Sequence, residues 1–204
     1  HLESGDSIPY DVISFNVGSY VPYDLGNSTN GDIFTVKPIE KLLAAQKRIS
    51  ELVSRKKATI GIVGGGPSAV EIAGNIWQLS KMSAAHTPII KIYTSSALMT
   101  NHPSGVRRKI AASLVTRGIN IAENSDVQKI APGRIELATG EVHKADIIFI
   151  AVGVRPSAVF KDSELPTGPD GGLLVNRYLQ CTVYPEMFGG GDCIYFEEKP
   201  LDKV

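Results

Sequence analysis

The chain has 204 residues with 43% hydrophobic and 21% charged residues, enough apolar material to bury a core and too much for a disordered polymer. Lys plus Arg (21) balance Asp plus Glu (21), which removes the electrostatic reason to expect nucleic acid and leaves small molecules or proteins as partners. The longest apolar run, Ile147 to Val154, is far short of the roughly 20 residues that a membrane helix needs, and no signal segment opens the chain. Two cysteines, Cys181 and Cys193, match no metal or redox spacing and read as reduced thiols of a cytoplasmic protein. Residue 1 is His with no start Met before it, a first hint of an excised piece.

The pattern along the chain alternates strands with helices. Tyr10 to Gly18 is a branched apolar run ending in glycine, the mark of a buried strand. Tyr20 to Asp32 holds turn residues without periodicity and reads as a linker or crossover. A helix begins near Pro38, where the missing N–H costs nothing, and Ile39, Leu42, Leu43, Ile49, Leu52 and Val53 form its apolar stripe. Ala58 to Val63 is strand-like, Gly64 to Pro67 a glycine-rich turn and Ser68 to Met82 a helix; Ile89 to Tyr93 supplies the next strand. Gly105 to Arg117 is a helix closed by Gly118. Asp126 to Asp146 reads as an antiparallel meander with turns at Pro132-Gly133 and Thr139-Gly140, and Ile147 to Val152 as a buried strand ending at Gly153.

Asp11 to Gly18 and Asp146 to Gly153 echo each other, sharing Asp, Ile, Val and Gly in register. Each delivers a glycine at the carboxyl end of a strand, where ligands sit in open α/β sheets, so Val152 with Gly153, and Gly18, are candidate contacts. Two unrelated core strands are the plainer alternative. Between the copies, Gly64-Gly65-Gly66-Pro67-Ser68-Ala69 reads G-x-G-x-x-A. Gly64 makes the tight turn, Gly66 admits a pyrophosphate and Ala69 lets the helix pack closely, with the diphosphate resting on the helix N-terminus. As a bare pattern this is weak, and a purely structural turn competes with it; the strand before and the helix after supply the specificity. At the end of the second strand, where an NAD site places an acid, stand Thr94, Ser95 and Ser96. These hydroxyls neither repel a 2′-phosphate nor, without a nearby Arg or Lys, bind one strongly, which predicts NAD(H) and NADP(H) affinities within about tenfold of each other.

Three motifs, VGGGPSAVEIA (Val63 to Ala73), FIAVGVRP (Phe149 to Pro156) and LLVNRYLQCTVYPEMFGGGDC (Leu173 to Cys193), resemble in that order the FAD-dependent pyridine nucleotide-disulfide oxidoreductase superfamily, and within it the NADH dehydrogenase-like branch. The run Val36 to Glu40 resembles a subgroup whose members occur beside or fused to selenide, water dikinase. The resemblance implies an α/β fold: a Rossmann-like three-layer dinucleotide-binding domain with an antiparallel β-meander, flanked by partial FAD-domain segments. It implies residues 1–35 as a partial FAD-domain segment and linker, 36–57 as a connecting helix, 58–155 as the NAD(P)-binding domain and 156–204 as the return to the FAD domain.

NAD(P)H and, in the full-length parent, FAD are the implied cofactors, with the remaining FAD-domain and interface segments as the implied protein partners. Gly191 and Asp192 fall where the family's Gly-Asp pair contacts the flavin side, although an Asp capping the next segment is an alternative. Glu71 matches a glutamate that in relatives lies near nicotinamide and flavin, and is the catalytic candidate; a solvent-facing helix residue is its plainer reading. Only nine residues precede Tyr10, so an FAD-type G-x-G-x-x-G is expected upstream of this chain. The implied function is the NAD(P)H-binding portion of an oxidoreductase that passes hydride to flavin, with a non-catalytic dinucleotide sensor or docking module as the alternative.

Overall fold

The structure is a computed structural model that describes residues 4–23, 32–83, 86–200 and 203. In chain order the elements are β1 (Ile13–Phe15), β2 (Ser19–Tyr20), β3 (Ile33–Thr35), α1 (Glu40–Arg55), β4 (Thr59–Val63), α2 (Pro67–Ser83), β5 (Ile89–Tyr93), α3 (Ser104–Thr116) and β6 (Asn120–Ala122). There follow β7 (Val127–Ala131), β8 (Arg134–Leu137), β9 (Val142–Lys144), β10 (Ile147–Ile150), β11 (Arg155–Pro156), α4 (Val159–Asp162), β12 (Leu173–Val175), β13 (Met187–Gly189) and β14 (Ile194–Phe196). They divide into two compact units, residues 21–153 and residues 1–20 with 154–204.

The larger unit is built on a five-stranded parallel sheet in the order β3-β10-β4-β5-β6. Ile60, Ile62, Ile92, Ile147 and Ile150 are fully enclosed, which is why these strands read as continuous apolar runs rather than alternating ones. Ala45, Ile49 and Val53 of α1, Ala69, Ile72, Ala73 and Ile76 of α2, and Leu114 of α3 join Ile60, Ile62, Ile92 and Ile147 in one core. Small residues at Ala69 and Ala73 let α2 lie close to the sheet. The predicted meander is present, β7-β8-β9 pairing antiparallel, and its Ile135 and Leu137 are buried.

Several elements differ from the sequence reading. Residues 24–31 of the proposed linker lie outside the described residues, but the linker gives way to β3, which pairs with β10 in register Ile33↔Ile148 to Thr35↔Ile150. Phe34 stacks on Phe149 with ring centroids 5.7 Å apart. Residues 33–35, assigned above to the FAD-side segment, therefore form the edge strand of the five-stranded parallel sheet. The helix read as a connection is a covering layer of the same sheet. Arg48 clamps it to the strand, Nε donating to Asp32 Oδ1 at 2.6 Å and Nη2 to Asp32 Oδ2 at 3.1 Å. The short strand β6 had no distinguishing pattern of its own.

Among the described residues the smaller unit has three two-stranded pairings, β1 with β13 and β12 with β14 in parallel and β2 with β11 antiparallel. The strand expected over residues 10–18 shrinks to Ile13–Phe15 and is half-buried rather than enclosed, because among the described residues β13 is its one strand partner. Val12 and Val17 are exposed. Phe160, Leu173, Val175, Cys181, Cys193 and Ile194 form the core here, with Phe15 set edge-on to Phe160 at 5.3 Å. Both cysteines are free and buried, and Cys193 Sγ donates to the Gly190 carbonyl at 3.1 Å. Among the described residues no helix is long and apolar enough to cross a membrane.

Candidate dinucleotide site

In the parallel sheet the chain leaves β4 toward β5 and β6 on one side, while β10 and β3 lie on the other. The loops after β4 and β10 consequently diverge, and an open crevice forms between them at the carboxyl ends of the strands. A cleft of about 390 Å³ occupies this place, within the larger unit. It is lined by Gly64 to Pro67 after β4, Thr94 to Ala97 and Met99 to His102 after β5, Ser125 to Val127 before the meander, and Ala151 to Gly153 after β10.

The glycine loop has a distinct packing reason at each position. Gly64 takes φ 132°, which disfavours any side chain, and a β-carbon there would overlap the Ala151 carbonyl oxygen. Its N–H donates to Tyr93 O at 2.8 Å, so the turn is held from both neighbouring strands. A β-carbon on Gly65 would overlap Thr94 Oγ1. Above Gly66, by contrast, a β-carbon would meet nothing within 4 Å. The loop is thus closed on the side of the protein and open at the position where the sequence places the pyrophosphate. α2 begins immediately after it and carries no acidic residue in its first turn, so no carboxylate there opposes an anion at its positive end.

The predicted site residues separate into three groups. Gly64, Gly65, Gly66, Pro67, Thr94, Ser95, Val152 and Gly153 all line the cleft. Ser68 and Ala69 do not; Ala69 is fully buried against the sheet, in keeping with its packing role. Thr94 is 4% exposed, enclosed by the glycine loop, and Ser95 is the exposed hydroxyl beside it. Glu71 is exposed on α2 and lies outside the cleft lining. Gly18, Gly191 and Asp192 belong to the smaller unit. Gly18 and Gly191 have φ of 66° and 72°, and Asp192 Oδ2 accepts a hydrogen bond from Ser19 Oγ at 2.8 Å. Gly190, Gly191 and Asp192 line a second pocket of about 350 Å³ in that unit. Both echo glycines, Gly18 and Gly153, adopt left-handed backbone just beyond a parallel strand.

Sequence reading missed Met99 to His102, Ser125 and Asp126. The signal available was only that a polar loop follows a buried parallel strand, since such loops line the ligand crevice of α/β sheets. Tyr93 also reaches the cleft; burial first, and the Glu141 charge second, push its hydroxyl up to about 12, so it stays a neutral phenol at physiological pH.

A family model described as pyridine nucleotide-disulphide oxidoreductase matches residues 2–202. The chain belongs to this family. Among curated relatives, it is 27% identical over 153 residues to the type II NADH:quinone oxidoreductase of Haemophilus influenzae, covering 70% of this chain and 34% of the relative. It is 27% identical over 199 residues to the demethylphylloquinone reductase NdbB of a Synechocystis strain, covering 92% of this chain and 47% of that protein. The chain therefore spans a third to a half of the length of these relatives.

A ferredoxin reductase from Rhodopseudomonas palustris shares the fold, with TM-score 0.80 at 18% identity over 99% of this chain and 49% of that one. A water-forming NADH oxidase from Lactobacillus brevis, solved with NADH, aligns with TM-score 0.70 at 19% identity over 91% of this chain and 40% of the other. Members of the family use NAD(P)H and FAD. The residues of the cleft fit the first of these: a glycine loop with no room for side chains at Gly64 and Gly65, open above Gly66, ahead of a helix whose first turn has no acidic residue. In the smaller unit, the Gly190 to Asp192 turn borders a pocket of its own.

Proposed function

We propose that this chain is the NAD(P)H-binding portion of a longer FAD-dependent oxidoreductase, in which nicotinamide delivers hydride to flavin. The observation that carries the reading is the crevice at the point where the strand order diverges, closed beneath by Gly64 and Gly65 and open above Gly66. Gly66 and the first turn of α2 hold the pyrophosphate, Ser95 and Ser96 face the adenosine ribose, and Val152 and Gly153 line the cleft on the β10 side. The flavin, when bound, supplies the redox chemistry; the residues of this chain bind and orient its reductant. Asp192, held by Ser19, is the flavin-side contact, and Glu71 the candidate beside the reacting rings. Apolar side chains left exposed in the smaller unit, Ile8, Val12, Val17 and Tyr20, suit a unit completed by further protein. The two named relatives act on quinones, whereas the fold neighbours include a ferredoxin reductase and a water-forming oxidase, so the proposal stops at the flavin.

The test is calorimetric titration of NADH and NADPH into the chain and its Gly66→Val variant. A branched side chain at Gly66 meets no protein atom within reach of its β-carbon, so it is expected to fold normally yet to block the pyrophosphate and abolish binding. Equal affinities for the two proteins overturn the assignment.

A further inference from the structure

The loop that follows β5 is held from outside the cleft. Ala97 and Met99 line the cleft, whereas Leu98 between them lines a separate pocket of about 260 Å³ together with Arg107 and Glu123. Both backbone groups of Leu98 are tied to side chains there. Its N–H donates to Glu123 Oε1 at 2.7 Å, and its carbonyl accepts from Arg107 Nε at 3.0 Å. A cation in the first turn of α3 opposes that helix's own positive end, so the helix that carries it gives the Arg107 guanidinium no electrostatic reason to be there.

The other end of this clamp is the glycine loop. The peptide joining Leu98 to Met99 accepts from Arg107 through its carbonyl and donates through its N–H, at Met99, to Gly65 O at 2.7 Å. Met99 is held for this at φ 54° while 5% exposed, a left-handed backbone that a residue with a side chain keeps only where its surroundings fix it. The Gly65 carbonyl in turn shares its peptide with the Gly66 N–H, which has no protein acceptor among the described residues. Two peptides in series thus connect a guanidinium outside the cleft to the open position of the loop. Hydrogen bonds in such a series polarise one another: a cation drawing on the Leu98 carbonyl strengthens the Met99 donor, and that bond strengthens the donor at Gly66.

Resting on the reading that the cleft holds a nicotinamide dinucleotide, we propose that Arg107 is a positioning residue for its pyrophosphate, fixing the glycine loop and strengthening the Gly66 N–H as a donor through the Leu98–Met99 and Gly65–Gly66 peptides. Glu123 holds the same segment by the Leu98 N–H. The clamp acts on the diphosphate that NADH and NADPH share, and so leaves the choice between them unchanged.

The experiment titrates NADH, NADPH and 5′-ADP into the 204-residue chain and into Arg107→Ala, Arg107→Lys, Glu123→Ala and Glu123→Gln, with urea unfolding alongside. Arg107→Ala is expected to weaken all three ligands by the same factor, about fivefold, for the loss of one charge-assisted hydrogen bond in the series. Arg107→Lys, which keeps a cationic donor, recovers most of that loss. Glu123→Ala loses about threefold, while Glu123→Gln, which keeps an acceptor for the Leu98 N–H, binds like the unmodified chain. In proton–nitrogen correlation spectra the Gly66 amide proton moves downfield on saturation with 5′-ADP, and moves less in Arg107→Ala. Undiminished affinity in Arg107→Ala, a loss confined to one dinucleotide, or a loss that follows the urea midpoint without rescue by Arg107→Lys overturns the proposal and leaves the dinucleotide reading intact. Failure of all three ligands to bind the unmodified chain overturns both.

Discussion

At the scale of single residues, the three loop glycines differ in what they do, although the motif writes them alike. Gly64 is a backbone necessity: its φ of 132° and the Ala151 carbonyl oxygen leave a side chain nowhere to go, and a backbone atom cannot yield as a side chain can. Gly64→Ala is expected to cost about 2 kcal/mol or more of folding stability, read as a lowered urea midpoint, in the range for strain at special backbone positions. Gly66→Val, with open space above it, is expected to stay within about 1 kcal/mol of the parent. If the two variants unfold at the same urea concentration, the division of labour within the loop is wrong. Thr94 shows how a residue read as a ligand contact acquires a second task, since its Oγ1 fills the place that Gly65 leaves vacant. Ser95, one position on, carries the exposed hydroxyl.

At the scale of elements, the parallel sheet is tied to its covering helix at the end of the strands away from the cleft. Asp146, just before β10, accepts from Lys56 Nζ at 2.5 Å and from the Thr59 N–H at 2.8 Å, joining the end of α1 and the starts of β4 and β10. Burial on its own raises the Asp146 carboxyl, but the Lys56 and Thr59 hydrogen bonds and the Lys56 and Arg48 charges together outweigh it, and the net direction is down from 3.8. A carboxylate whose folded pKa lies below its unfolded one stabilises the fold above the unfolded value, and that contribution fades as the pH falls through the folded one. Stability contributed by Asp146 is accordingly present at neutral pH and lost below about pH 4. Asp146→Asn is expected to lower the urea midpoint at pH 7 and to flatten its decline on the acid side. An unchanged acid-side slope in the variant removes Asp146 from the account.

At the scale of the molecule, the two units differ in how much of a binding site each contains. The larger holds a continuous five-stranded sheet and a cleft whose walls all come from its own residues. The smaller holds two-stranded pairings, and on the proposed reading its flavin side consists of the Gly190 to Asp192 turn with Ser19. Binding must offset several kcal/mol of lost freedom, which one such turn does not supply. The 204-residue chain is therefore expected to purify without the flavin absorbance near about 450 nm while still titrating with a nicotinamide dinucleotide. A stoichiometric yellow band shows instead that these residues hold FAD unaided.

The elements legible from residues alone were those with a local period or a local punctuation mark. Branched runs at β4, β5 and β10, Gly118 closing α3 and the turn pairs of the meander each declare themselves within a dozen residues, because burial of one face imposes a repeat on the chain; the stripe of α1 was legible at Leu42, Ile49, Leu52 and Val53, whereas Ile39 and Leu43, counted with it, are exposed and Ala45 takes a place in the core. The glycine loop was legible for the same reason, being flanked by its strand and helix. Three-residue strands such as β3 and β6 carry no period, and their membership in the sheet was decided by the neighbours they pair with, Ile148 and Ile92 among them. The rest of the cleft followed the same rule. Its walls come from four loops spread from Val63 to Gly153, and only the parallel register of the sheet sets Ala151 against Gly64, Thr94 against Gly65 and His102 within the same crevice, since contacts between distant segments leave no repeat in either one.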